Sequence, residues 1–325
     1  MSDMYLATNI FSKKISLVPP RNGYGSGLVC AGKVSPNVVV LCADLSESTR
    51  SQAFQKTFPS RFIEVGVAEQ NMAGIAAGLA LSGKIPFISS YAVFSPGRNW
   101  DQIRVSICYS NTNVKIGGAH AGISVGPDGA THQALEDIAL MRVLPNMTVL
   151  CPADALETEK AVIAASKMNG PVYIRFGREP VPVITTSHSP FRIGKAQIVK
   201  QGTDVTVVAC GSMVYEALIA ARALSPKLSV EVVNNHTVKP LDIGTLSRSV
   251  SKTRALVTAE EHQKAGGMGS AVLEALGAKL AVPAEQVGVN DTFGESGKPP
   301  ELMKKYGLSS DDIVRAIMKV GKRKR

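Results

Sequence analysis

The chain has 325 residues, 45% of them hydrophobic but only 5% aromatic, and a formal net charge of +10; this length suits two domains with a packed core. No apolar run approaches the ~18 residues of a membrane span, and residues 1–16 lack the apolar core of a secretory signal. Five scattered cysteines without a C-x-x-C pair read as buried thiols of a reducing, cytoplasmic setting rather than a disulfide framework or a zinc site, and the one dense basic run, Lys322-Arg323-Lys324-Arg325, reads as a solvated tail rather than a nucleic-acid patch.

Short β-branched runs alternate with helical periodicities along the first half. Strands are expected at 37–43, 84–89, 114–118, 148–151 and 172–175, and helices at 68–82, 99–109, 131–141 and 154–168. Residues 179–190 hold three prolines and no helical period, so they read as an extended interdomain linker. Alternation resumes with strands at 204–209, 228–233, 254–259 and 286–289 and helices at 212–224 and 267–280. A closing amphipathic helix is expected at 309–320, with Ser309 or Ser310 as N-cap and acids in its first turn. Continuous apolar strands separated by helices imply an α/β fold: two domains, 1–184 and 185–325, each a mostly parallel sheet flanked by helices.

Two blocks concentrate groups capable of chemistry. Residues 61–72 read R-F-I-E-V-G-V-A-E-Q-N-M and place Glu69 at the start of a helix rich in glycine and alanine. Alone, Glu69 is a first-turn acid favoured by the helix dipole. The small residues around it would also let a flat ring approach a partly desolvated carboxylate. Residues 120–133 read H-A-G-I-S-V-G-P-D-G-A-T-H-Q and hang His120, Asp128 and His132 on one glycine-rich loop. Their spacing fits no metal-ligand pattern, so proton transfer or hydrogen bonding is the better reading. Tyr91 and Phe94 follow a strand, at the end where α/β sheets place ligands, though core packing accounts for such a pair equally well. Arg178 ends another strand, suited to a phosphate or to a surface ion pair. His188, His236 and His262 read as structural.

Together these blocks resemble the transketolase family of thiamine-diphosphate enzymes. The resemblance runs through G-V-A-E-Q-N-M, D-Q-I-R, H-A-G-I-S-V-G-P-D-G-A-T-H-Q-A-L-E-D and P-A-D-A, then T-V-K-P-L-D and E-E-H-Q-K-A-G-G-M-G, and so covers nearly the whole chain. It implies a pyrimidine-binding domain followed by the family's C-terminal domain. No Gly-Asp-Gly metal-diphosphate motif occurs, which resembles the split transketolases, whose diphosphate-binding domain is a separate polypeptide. Carried over by resemblance, Glu69 hydrogen-bonds N1′ of the cofactor's aminopyrimidine, stabilising its imino tautomer, and Tyr91 and Phe94 wall the ring. His120, Asp128 and His132 match sugar-hydroxyl and proton-transfer positions, Ser48 and Arg178 match phosphate contacts, and Asp44 matches an acid at the subunit interface. Arg98 matches a residue near the Tyr91–Phe94 wall, with Arg104 as the alternative because the segment 95–101 is one residue longer than in relatives. Gly126-Pro127-Asp128-Gly129 replaces the family's frequent G-E-D-G.

The resemblance implies transfer of a two-carbon ketol unit between sugar phosphates, as in the pentose phosphate pathway. It also implies Mg2+ or Ca2+ held by a diphosphate-binding partner in an α2β2 assembly, with no metal site, nucleic-acid role or membrane role for this chain. The rival readings are a 2-oxo acid dehydrogenase E1 β subunit, a 1-deoxyxylulose-5-phosphate synthase fragment, and a non-catalytic regulatory binding protein that kept the fold.

Overall fold

The computed structural model describes residues 5–324. The first half contributes strands β1 (Leu17–Val18), β2 (Val38–Cys42), β3 (Phe62–Glu64), β4 (Ile85–Tyr91), β5 (Lys115–Ala119), β6 (Thr148–Leu150), β7 (Val172–Arg175) and β8 (Val181–Pro182). Its helices are α1 (Pro20–Val34), α2 (Ser46–Thr49), α3 (Gln52–Thr57), α4 (Glu69–Leu81), α5 (Trp100–Gln102), α6 (Asp137–Arg142) and α7 (Ala155–Ser166). The second half adds β9 (Gln197–Lys200), β10 (Val205–Ala209), β11 (Val230–Asn234), β12 (Thr237–Lys239), β13 (Leu256–Gln263) and β14 (Ala284–Val289), with α8 (Met213–Leu224), α9 (Ile243–Thr253), α10 (Met268–Gly277), α11 (Pro299–Lys305) and α12 (Ser310–Arg323).

Two α/β domains result. In the first sheet β6, β7, β5, β4, β2 and β3 lie parallel in that spatial order. Strand β12, from the second half, adds antiparallel to β6. In the second sheet β14, β13, β10 and β11 are parallel, and β9 closes the edge antiparallel. The central strands β2, β5, β7 and β10 are buried at every residue, as two-sided helix cover requires. Beneath α4, Met72, Ala73 and Ala76 pack on Leu41, Ile88 and Ile116, which fixes the start of α4 against the sheet.

Several elements differ from the sequence expectation. The helix expected over 131–141 begins only at Asp137, because the preceding residues form a turn bridged to β5's loop through Ala121 and Ala134. The helix expected over 99–109 starts as α5 and widens into a π-helical stretch, Ile103–Tyr109. The extended 179–190 segment is tied down: β8 pairs with β1, and the Asp154 carboxylate accepts from the Ile184 and Thr185 amides at 2.8 and 2.7 Å. Helix α1 was not expected at all. Its glycines depress helix propensity, but Gly23 and Gly27 sit so close to α7 that a Cβ would collide with Ala155 and Val162. The basic run is exposed over 322–324, as expected of a solvated end, but Arg323 and Lys324 have partners. Lys322 and Arg323 end α12, Arg323 pairs with Glu285 at 2.7 Å, and Lys324 donates to the Asp204 carbonyl at 3.0 Å; Arg325 lies outside the described residues.

Candidate active site

The carboxyl ends of β2, β4, β5 and β7 lie side by side, with Tyr91 in register with Ala119. Open α/β sheets bind ligands at this edge. Chain order brings Ser48 there after β2, Tyr91 and Phe94 at the end of β4, His120 after β5 and Arg178 after β7. Glu69 arrives as the first residue of α4.

Glu69 is only 1% exposed. Arg98 Nη1 donates to its Oε2 at 2.8 Å, and Asn99 Nδ2 donates to its backbone carbonyl at 3.1 Å. The Arg98 guanidinium also lies over the Phe94 ring, 4.8 Å from its centroid. Tyr91 and Phe94 are 5.8 Å apart between centroids with planes inclined by 11°. Arg98, not Arg104, therefore meets the acid; Arg104 is exposed on the π-helical stretch. A carboxylate with Oε2 engaged, next to two nearly parallel aromatic faces, suits a flat nitrogen heterocycle such as an aminopyrimidine. The acid supplies an acceptor and the rings supply the stacking surface.

The other end of the cluster is basic. His120 takes a left-handed backbone conformation, φ 53°, and its ring lies 4.0 Å from that of Tyr91. Arg21 Nη1 stands 3.5 Å from His120 Nε2 and donates to the Ser48 carbonyl at 3.1 Å. It is thus the Ser48 carbonyl that Arg21 holds. Burial first, then the charges of Arg21 and Arg178, push His120 down to about 3, so its imidazole is neutral across the physiological range. His120 Nδ1 and Arg21 Nε are buried without a hydrogen-bond partner among the described residues. Buried polar atoms are rarely left so, and both are available to a ligand. His132 meets Phe94 edge-on at 5.5 Å, with Nδ1 2.8 Å from Thr131 Oγ1. Arg178 Nη1 donates to Asp128 Oδ1 and to the Val125 carbonyl, both at 3.1 Å.

Glu69, Arg98, Phe94, Tyr91, His132, His120 and Arg21 thus form one run of contacts, with Arg178 and Asp128 beside its basic end. Arg21 is the residue that sequence reading missed; an arginine after two prolines carries no signal until α1 aims it at the sheet edge. Asp44 stays apart, exposed at φ 58°, its amide donating to Glu64 Oε1 at 2.7 Å. The remaining histidines make structural contacts. The exposed His188 donates its amide to Thr186 Oγ1, His236 stacks on Phe191 at 4.3 Å, and His262 Nδ1 lies 2.8 Å from the Gln263 carbonyl.

Comparison with known proteins assigns both halves of the chain to one family. Residues 18–183 match the transketolase pyrimidine-binding domain, and residues 194–313 match the transketolase C-terminal domain. The chain belongs to the transketolase family. A Methanocaldococcus jannaschii protein described as a transketolase C-terminal section is 45% identical over 302 residues, covering 92% of this chain and 95% of that protein. A solved split-gene transketolase, described as an inactive β4 tetramer, is 49% identical with a TM-score of 0.89, covering 95% of this chain and all of the other. Transketolase of Homo sapiens is 37% identical over 305 residues, 92% of this chain but only 48% of its own length. The chain thus corresponds to the C-terminal section of a transketolase, its pyrimidine-binding domain followed by its C-terminal domain. No helix among the described residues is long and apolar enough to cross a membrane.

Proposed function

We propose that this chain forms the pyrimidine and sugar side of a cytoplasmic, thiamine-diphosphate-dependent transketolase, while a separate subunit holds the diphosphate and a Mg2+ or Ca2+ ion. The observation that carries the reading is the joining, on one sheet edge, of the Glu69–Arg98 pair and aromatic wall to the His120, Arg21 and Arg178 cluster.

In this reading Glu69 shares a proton at N1′ of the aminopyrimidine, Arg98 fixes the carboxylate's orientation, and Tyr91 and Phe94 hold the ring plane. Bound there, thiamine diphosphate would supply the carbon centre for moving a two-carbon ketol unit from a ketose phosphate to an aldose phosphate. His120, kept neutral, can give or take a hydrogen bond at a sugar hydroxyl through its unpartnered Nδ1. His132 offers a second imidazole to a proton in transit, and Asp128 an acceptor to a hydroxyl. Arg21 and Arg178 grip the sugar phosphate with charge-assisted hydrogen bonds, aided by Ser48. Asp44 faces the partner. The outer face of α4, with Gln70, Asn71, Gly74 and Gly78 exposed beside Val67, Leu81 and Tyr109, gives that subunit a partly apolar surface to cover. An α2β2 assembly with a site at each subunit boundary is the simplest arrangement.

The test mixes the purified chain with a diphosphate-binding transketolase subunit, thiamine diphosphate and Mg2+. Calorimetry should show weak cofactor binding by the chain alone and tight binding by the mixture, and ketol transfer should appear only in the mixture. Micromolar cofactor affinity and full turnover by the chain alone would overturn the half-site assignment. A well-formed complex without transfer activity would favour the non-catalytic rival.

A further inference from the structure

The loop carrying His120, Asp128 and His132 is held from behind by the C-terminal domain. Glu261, at the carboxyl end of β13 and buried, accepts from the Ser124 amide through Oε1 at 2.6 Å and from Ser212 Oγ through Oε2 at 3.2 Å. Gln133, 3% exposed, donates through Nε2 to the Ile123 carbonyl at 3.0 Å and, across the domain boundary, to the Glu295 carbonyl at 3.0 Å. The Gly126 carbonyl is a further acceptor at 3.5 Å. Packing closes the same joint. A Cβ on Gly122 would collide with the Glu261 carboxylate, and one on Gly129 with Ser296 Oγ; both glycines have positive φ.

What these contacts hold is the turn over 123–128. That turn presents the Val125 carbonyl and the Asp128 carboxylate to Arg178. Two groups reached only through folding, one a carboxylate and one an amide, therefore fix the turn from which Arg178 takes its orientation. An apolar side chain at 133 would fill the space but leave the Ile123 and Glu295 carbonyls without their partner. We propose that Gln133 and Glu261 are positioning residues through which the C-terminal domain sets Arg178 for the anionic end of the sugar. The substrate half of this statement rests on the transketolase function proposed above; the loop-holding half does not.

The experiment uses the full chain carrying Gln133→Met, Glu261→Ala or Glu261→Gln. Amide hydrogen exchange is followed peptide by peptide, with the rest of the chain as the folding control. Gln133→Met and Glu261→Ala should speed exchange over 120–133 by about tenfold while leaving most of the chain unchanged. Glu261→Gln, which keeps one acceptor oxygen, should fall between Glu261→Ala and wild type. In the reconstituted enzyme KM for a ketose phosphate should rise about tenfold more than KM for the unphosphorylated donor hydroxypyruvate, with kcat on hydroxypyruvate nearly unchanged. Unchanged exchange over 120–133, a rise spread evenly over both domains, or equal losses on both donors would overturn the proposal. Absence of any transfer by the wild-type mixture would instead count against the functional reading, and the exchange data alone would then decide whether the domain holds the loop.

Discussion

Beyond β2, β4, β5 and β7 of the first sheet stand two acids, two aromatic rings, two histidines and three arginines, with His120 Nδ1 and Arg21 Nε buried without a partner among the described residues. Beyond β10 and β11 of the second sheet stand Cys210, Asn235 and His236, and Glu260, Glu261 and His262 lie in the last residues of β13, all buried. The two sheets share a parallel α/β architecture, and their carboxyl edges differ in what covers them. Glu69 and Glu260 make the contrast concrete, since each is a buried acid beside a helix start: Glu69 opens α4, and Glu260, in β13, reaches the first turn of α10. Glu69 gives Oε2 to Arg98 beside the aromatic wall. Glu260 gives Oε2 to the Met268 amide at 2.6 Å and Oε1 to the Gly269 amide at 2.8 Å, closing the first turn of α10, and burial pushes its carboxyl up. The carboxyl edge of one sheet thus gathers the candidate site, while that of the other serves as a joint, with Glu261 holding the Ser124 amide of the first domain.

Breaking that contrast begins at its strongest point. Glu69→Gln should lower turnover of the reconstituted enzyme by ~10²–10⁴-fold while the thermal midpoint holds, as expected for loss of a positioned proton-transfer group. Turnover within a few-fold of wild type would remove Glu69 from the mechanism. Arg178→Ala should cost ~1.5–3 kcal/mol in kcat/KM for phosphorylated sugars and much less for hydroxypyruvate, because a charge-assisted contact is lost. Equal losses on both donors would make Arg178 a structural group serving Asp128.

Glu260→Gln should do the opposite of the Glu69 change. It leaves one of two buried amides without its acceptor, so the chain should lose about 1–3 kcal/mol of stability in denaturant titrations with no specific defect in turnover. A turnover defect at full stability would mean that the second edge also takes part in the chemistry.

His120 sharpens the comparison through pH. In the folded chain it is held at about 3, against ~6.5 for an unperturbed histidine. Between those values the unfolded chain binds a proton that the folded chain refuses. Stability linked to this residue is therefore lost as pH falls from about 6.5 toward 3, by up to ~1.4 kcal/mol per pH unit. His120→Asn should gain on wild type over that window and run parallel to it above pH ~7. A difference that stays constant through the window would mean that His120 accepts its proton in place. The smallest effect is expected at the chain's end. Deleting residues 322–325 removes the partly exposed Arg323–Glu285 pair and should cost no more than ~1 kcal/mol. Failure of that variant to assemble with the partner would place the basic run in the interface.

Local pattern determined much of this protein. Strands such as 38–42, 172–175 and 205–209 were legible because two-sided burial demands unbroken apolar runs. The helix at 69–81 was legible because its buried residues recur at helical spacing. Glu69, His120, Asp128 and His132 stood out because their blocks pack unusual residue types into short stretches. Tertiary structure decided the rest. Helix α1 was not read from the sequence, its glycines being explained only by the close approach of α7, and Arg21 had no meaning before α1 aimed it at Ser48 and His120. The periodicity of 131–141 suggested one helix, but the C-terminal domain draws Gln133 into contacts that keep its first part a turn. Spacing favoured Arg98 but left Arg104 as an alternative, and only the chain's course after Phe94 brings Arg98 within hydrogen-bond distance of Glu69. The physical reason is common to these cases. Propensity and periodicity act between residues a few positions apart, whereas a site is made by groups far apart in sequence, whose placement depends on how sheets, helices and domains pack.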